Sequence, residues 1–193
     1  MPFGAAAQRM ALMAEIEAGL DVDLDVKNVN LGIYEQSDLV RDPEAEKWGS
    51  MDALAGFDPT PAIFEGKGLV RNLKVGKIVS VIMMSKQYIE NNPEAPNKFL
   101  DAFNLAYDFY RLNTEQANTW FSEEANLDIT PKALTIAASV EPNLKVKNIN
   151  DIRLDFNEDD YAIMQEASDF LFEHDYIDKK VIMKDHVNLS YLQ

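Results

Sequence analysis

Lys77-Ile78-Val79-Ser80-Val81-Ile82-Met83-Met84 is the stretch on which the fold class turns. Apart from Ser80 its interior is apolar, rich in β-branched residues, and shows no three- or four-residue period. Such a run suits a strand covered on both faces, as in an α/β sheet. Ahead of it, shorter stretches of similar character recur. Val26, Val29 and Leu31 mark one expected strand, Met51–Phe57 a second made of small residues, and Leu69–Leu73 a third. Between them lie expected helices: Ala5–Leu20, with Met10, Met13, Ile16 and Leu20 at helical steps and Gly19 near the stop; Gln36–Lys47, ended by the turn Trp48-Gly49-Ser50; and Ala62–Lys67, capped by Asp58 or Thr60 with Pro61 in the first turn. Strands alternating with helices predict an α/β sheet rather than a bundle.

Beyond Ser85 the pattern becomes helical. Ser85–Asn91 predicts one or two turns, and Pro93 and Pro96 introduce a long helix to Leu112 whose stripe is Phe99, Leu100, Phe103, Ala106, Tyr107 and Tyr110. Thr114–Ala125 predicts a further helix, Thr130-Pro131 opens another, and Asn157 caps Glu158–Glu173. The tail from Val181 reads as irregular. The chain thus divides into residues 1–76, an α/β lobe, and residues 77–193, a strand followed by helices.

Composition narrows the function. The 193 residues carry 18 Lys+Arg against 33 Asp+Glu, a net charge of -15, so a nucleic-acid backbone or an anionic membrane is repelled rather than bound. With no cysteine, thiol nucleophiles, zinc–thiolate sites, iron–sulfur clusters and disulfides are excluded. His174 and His186 are the two histidines, and their spacing is not that of metal ligands. Asn157-Glu158-Asp159-Asp160 is accounted for as an acidic helix start. No apolar run reaches the length of a bilayer-spanning helix, and the first residues lack the basic-then-apolar order of a signal peptide. One local feature points to ligand binding. Gly4-Ala5-Ala6-Ala7 places small residues at a helix start, where first-turn N–H groups lack intrahelical acceptors and can receive an anionic or acceptor group.

Four stretches, taken in order, carry a resemblance. They are Pro2-Phe3-Gly4-Ala5 with Arg9 and Leu12; Gly19-Leu20-Asp21 through Asp25-Val26-Lys27-Asn28-Val29-Asn30-Leu31; Ser50-Met51-Asp52-Ala53 with Phe57-Asp58-Pro59; and Ile82–Ile89 with Asn92-Pro93-Glu94. Together they resemble the C-terminal part of ABC-transporter substrate-binding proteins of the nitrate/sulfonate/taurine type. Leu112-Asn113-Thr114-Glu115-Gln116-Ala117 stands where that family usually has N-P-E-x-A.

The resemblance implies a periplasmic-binding-protein-like fold of type II, two α/β lobes around a cleft. It also implies that the chain begins within the family pattern, as a fragment, an internal start or a truncated gene, with one lobe incomplete. The implied function is extracytoplasmic capture of a small organic or sulfonate-like solute and its delivery to an ABC permease, without catalysis, metal or cofactor, by a protein that is monomeric when full length. The implied ligand-binding residues are Gly4, Ala5 and Ala6, through backbone N–H groups, with Phe57 and Asp58 after the second expected strand. Two departures matter: Ala5 replaces the family's hydroxyl residue, and a carboxylate at Asp58 repels nitrate or a simple sulfonate and favours a zwitterion or a ring bearing donors. Two alternatives stand beside this reading. One is an α/β interaction domain without a small ligand. The other is a relative of pyrimidine-precursor-forming enzymes, whose histidine and cysteine chemistry this composition does not favour.

Overall fold

Helix ends are where local sequence acts most directly on this molecule, and most of them are built as their residues dictate. The computed structural model describes residues 1–32, 35–36, 51–125 and 129–192. Helix α1 spans Ala6–Glu17. It stops at Gly19, which adopts φ +76° and lets its N–H reach Ile16 O while Leu20 N–H reaches Glu15 O, closing the helix with two reversed bonds. Helix α2, Thr60–Gly66, ends the same way at Gly68, φ +72°. Its first turn is held by Asp58, whose Oδ1 accepts from Ala62 N–H at 3.2 Å.

Helix α3, Lys86–Asn91, is capped by the Ser85 hydroxyl, and α4, Ala95–Leu112, carries Pro96 in its first turn, where the missing N–H is no loss. Helix α5 spans Thr114–Glu124. Helix α6, Pro131–Ala138, follows the Thr130 cap, and α7, Glu158–Glu173, opens on a reciprocal box between Asn157 and Asp160. Three single turns of 3₁₀ helix lie at Pro142–Lys145, Ile149–Asp151 and Met183–His186.

Two units result. One comprises Met1–Gly76 with Glu115–Ser139, the other Lys77–Thr114 with Val140–Gln193. In the first, α2 packs on α6: Ile63 and Phe64 meet Ile129, Ala133 and Leu134, with Leu54, Leu69 and Val70 at the margin. In the second, α4 packs against the turns at 142–145 and 149–151, and α7 against the turn at 183–186.

The expected α/β architecture is not what forms. Among the described residues every regular element is helical and no strand is present, so the two-lobe sheet fold is corrected to an all-helical one. The stretches read as strands at 51–57, 69–73 and 77–84 form no ladder, and that at 26–31 makes one isolated bridge only. The physical reason lies in what a strand is. Apolar β-branched composition makes a segment suitable for a sheet, but the ladder bonds come from another segment laid alongside it. Only one such exchange is seen among the described residues. The Met1 ammonium donates to Val29 O at 3.1 Å, and Leu31 N–H donates to Met1 O at 2.9 Å, the bond pair of a single parallel bridge that no ladder extends.

Two further expectations change. The run 77–84, read as covered on both faces, is open: Ile78, Val81, Ile82 and Met83 are exposed. The α4 stripe is half-buried at Leu100, Phe103, Tyr107 and Tyr110 but exposed at Phe99 and Ala106. The helix expected from Gln36 to Lys47 and the turn at 48–50 lie outside the described residues, apart from Gln36 itself.

Candidate functional site

The candidate residues from the sequence all lie in the first unit, in two places. Gly4, Ala5 and Ala6 form the start of α1. Gly4 takes φ +73°, a conformation that glycine adopts without a side-chain clash, and it turns the chain from the Met1–Phe3 segment into the helix. Its N–H is already used by the Gln8 side chain, whose Oε1 accepts it at 2.6 Å. Ala5 is the N-cap in an extended conformation, and no side chain caps the helix there, as follows from an alanine where a hydroxyl is common. Among the described residues, the N–H groups of Ala5 and Ala6 have no acceptor, and both residues are half-buried. The chain just before them is fixed: Phe3 N–H donates to Asn30 Oδ1 at 3.0 Å, next to the Met1 bridge.

Phe57 and Asp58 lie at the turn into α2. Phe57 is half-buried, and its carbonyl accepts from Thr60 N–H. Asp58 is exposed by surface area, yet the protein around it raises its pKa above the ordinary carboxylate value. Desolvation is the main cause, opposed by the bond from Ala62 N–H and reinforced by the nearby charge of Glu65. Through Oδ1 the carboxylate thus holds the first turn of α2.

No hydrogen bond among the described residues joins the Gly4–Ala6 group to the Phe57–Asp58 group directly. What connects them is Gln36, which sequence reasoning placed only in a polar helical stretch. Its side chain is 1% exposed, and its Nε2 donates to Leu31 O at 3.1 Å and Ala55 O at 3.3 Å. One amide thereby ties the chain beside Met1 to the chain leading into Phe57. Its Oε1 is buried without a partner and faces Gly56, where a β-carbon would collide with it. The only sequence signal for this contact is the glycine at 56, and a single glycine is too common to reveal it. Arg9, one turn into α1, is buried at 7% exposure.

The second unit holds another polar cluster, and its bonds are structural. Asn143 is buried and exchanges two bonds with the backbone of Arg153, both 2.9 Å. The Arg153 guanidinium pairs with Asp160 and holds that carboxyl below its usual range, while the same pair pushes Arg153 up. Tyr107, hydrogen-bonded to Asn143, is raised by burial. His174 ends α7 with its ring against Phe170, 4.3 Å between centroids, and no group of three metal-binding side chains occurs among the described residues. Nor is any described helix long and apolar enough to cross a membrane. No protein-family model matches the chain, and no match is found among curated proteins or solved structures.

Proposed function

We propose that this chain captures a small organic or sulfonate-like solute non-covalently, as the extracytoplasmic binding component of an ABC importer, with the permease as its protein partner. Two things support the reading: the ordered sequence resemblance described above, and the open start of α1. The second carries the chemistry. Ala5 and Ala6 present N–H groups without acceptors at the positive end of a twelve-residue helix, on a segment fixed by Met1, Phe3 and Asn30. A sulfonate or carboxylate oxygen accepts from those groups, and an ammonium or ring N–H of the same solute is suited to the Asp58 carboxylate.

Ala6→Pro tests this cleanly. Position 6 is the first helical residue, where proline is tolerated, and Ala5 already has the extended backbone that a following proline requires. The variant therefore removes one candidate donor and leaves α1 standing. Thermal melts of the wild-type chain against taurine, simple alkyl sulfonates, amino acids and uracil are expected to show a saturable rise with a zwitterion or donor-bearing ring. Ala6→Pro is expected to keep the unliganded melt and weaken that response by about tenfold. A panel without any shift, or an Ala6→Pro response equal to wild type, refutes the reading.

A second reading, an interaction module without a small ligand, is favoured by a separate observation. Ile78, Val81, Ile82 and Met83, and Leu105, Phe109 and Leu112 on α4, are exposed.

A further inference from the structure

From Val70 to Ser85 the chain contains no helix, turn or bend. No backbone N–H or C=O between Val70 and Met84 takes part in a hydrogen bond among the described residues. The center of this stretch, Ile78 to Met84, has no charge, proline or glycine; Ile78, Val81, Ile82 and Met83 face water, Met83 at 87% exposure and Ile78 at 57%, while Val79 and Met84 are half-buried. Unpaired backbone along an exposed apolar run is a template for strand pairing, and an identical run is the partner always present at the protein's own concentration. We propose that two copies of this chain associate through residues 78–84, paired antiparallel with Val81 opposite Val81.

The flanking charges select this arrangement. In-register parallel pairing sets Lys77 against Lys77 and Lys86 against Lys86, and an antiparallel register with Lys77 opposite Lys86 repels at both ends. Centering on Val81 instead places Lys77 opposite Ser85, Ile78 opposite Met84 and Val79 opposite Met83. Val79, Val81 and Met83 of both copies then share one wholly apolar face. No acidic residue occurs in sequence from Gly66 to Ile89, and the carboxylates met near its flanks, Glu17 at Lys74 and Asp160 near Lys77, each face a lysine of the same copy, so the uncharged run 78–84 is a part of this chain of net charge -15 where carboxylate repulsion between two copies is least. The overall charge resists assemblies larger than a pair, and salt screens that resistance. The dimer departs from the monomer implied by the family resemblance and is independent of the solute site at α1.

Sedimentation velocity of the full chain is expected to show monomer and dimer in an equilibrium that shifts to dimer as protein or sodium chloride concentration rises. Val81→Lys sets two charges face to face at the axis and is expected to weaken the dimer by about tenfold or more, with far-UV circular dichroism unchanged. The protein contains no cysteine, so Val81→Cys introduces a single thiol that is expected to form an interchain disulfide under mild oxidation, whereas Leu24→Cys, at a more exposed position, is not. A monomer under all conditions, open-ended oligomers, or failure of the Val81→Cys bridge overturns the proposal. So does an association that weakens with salt, which would identify a basic-to-acidic contact instead.

Discussion

Gly56→Ala tests the packing around the one amide that joins the two parts of the candidate site. Gln36 is 1% exposed, its Nε2 is committed to the carbonyls of Leu31 and Ala55, and its Oε1 rests where the new methyl would lie. Because both anchoring partners are acceptors, the amide cannot be turned end for end to make room. The side chain is flexible, so the variant can fold, but only by swinging the amide away and breaking both bonds.

Two neutral bonds at about 1 kcal/mol each, with two carbonyls left without donors, set the loss. Alanine recovers about 0.5 kcal/mol by restricting the unfolded chain. The net destabilization is about 2 kcal/mol, a melting-temperature drop of roughly 5 °C for a chain of this size. The assay is thermal and urea denaturation of wild type, Gly56→Ala, Gln36→Ala and the double variant. With Gln36 truncated, the obstacle is gone, so Gly56→Ala should then change stability by only a few tenths of a kcal/mol, giving a coupling of at least about 1 kcal/mol. A Gly56→Ala protein that melts with wild type, or equal penalties in both backgrounds, would refute the packing argument.

Three further outcomes are expected. Phe64→Ala empties the center of the α2–α6 contact and is expected to lower stability by about 3 kcal/mol, read by urea denaturation, because Ile63, Ala133 and Leu134 cannot collapse fully into the space. Asp175, at φ +58°, occupies the left-handed position at the end of α7, so Asp175→Gly should raise the melting temperature, by up to about 1 kcal/mol of stability. The pKa of Asp58 is higher folded than unfolded, so its protonated form favors the fold and stability from this group is lost as pH rises through the folded value. Asp58→Asn keeps the acceptor for Ala62 N–H and is expected to melt above wild type at neutral pH, with the two curves merging below the ordinary value of 3.8.

How much of this was legible depended on whether the cause was local. Gly19 at the end of α1, Pro61 in α2, Thr130-Pro131 before α6 and Asn157 before α7 are all readable because each acts on backbone groups within one turn. The role of Asp58 as a cap was readable for the same reason. The expected sheet does not form because Val79 and Val81 state what a strand would be made of, while the bonds that make one must come from residues far away in the chain. Gln36 was invisible on similar grounds: its partners are five and nineteen residues distant, and nothing near it announces burial. The left-handed turn at Asp175 carries no distinct local signal, because glycine is the usual residue at that position and most aspartates lie elsewhere.

The same absence of ladders among the described residues explains an otherwise odd feature, a reliance on side-chain amides that are buried or half-buried. Gln36 holds the carbonyls of Leu31 and Ala55. Asn143 gives its Nδ2–H to Arg153 O and accepts from Arg153 N–H, copying the two-way exchange of a peptide unit in a sheet. Gln165 donates to Val181 O at 3.0 Å and accepts from Met183 N–H at 2.9 Å, the pattern a parallel strand would present to residues 181 and 183. In each case an irregular segment meets a side-chain amide where a neighboring strand would otherwise satisfy its backbone. Such a device fixes one or two residues, whereas a ladder fixes a whole run, so it can hold 181–183 or 153 but not a stretch as long as 70–84. That is why the helical parts of this chain can be ordered while its most strand-like segment still has its backbone groups open to a partner.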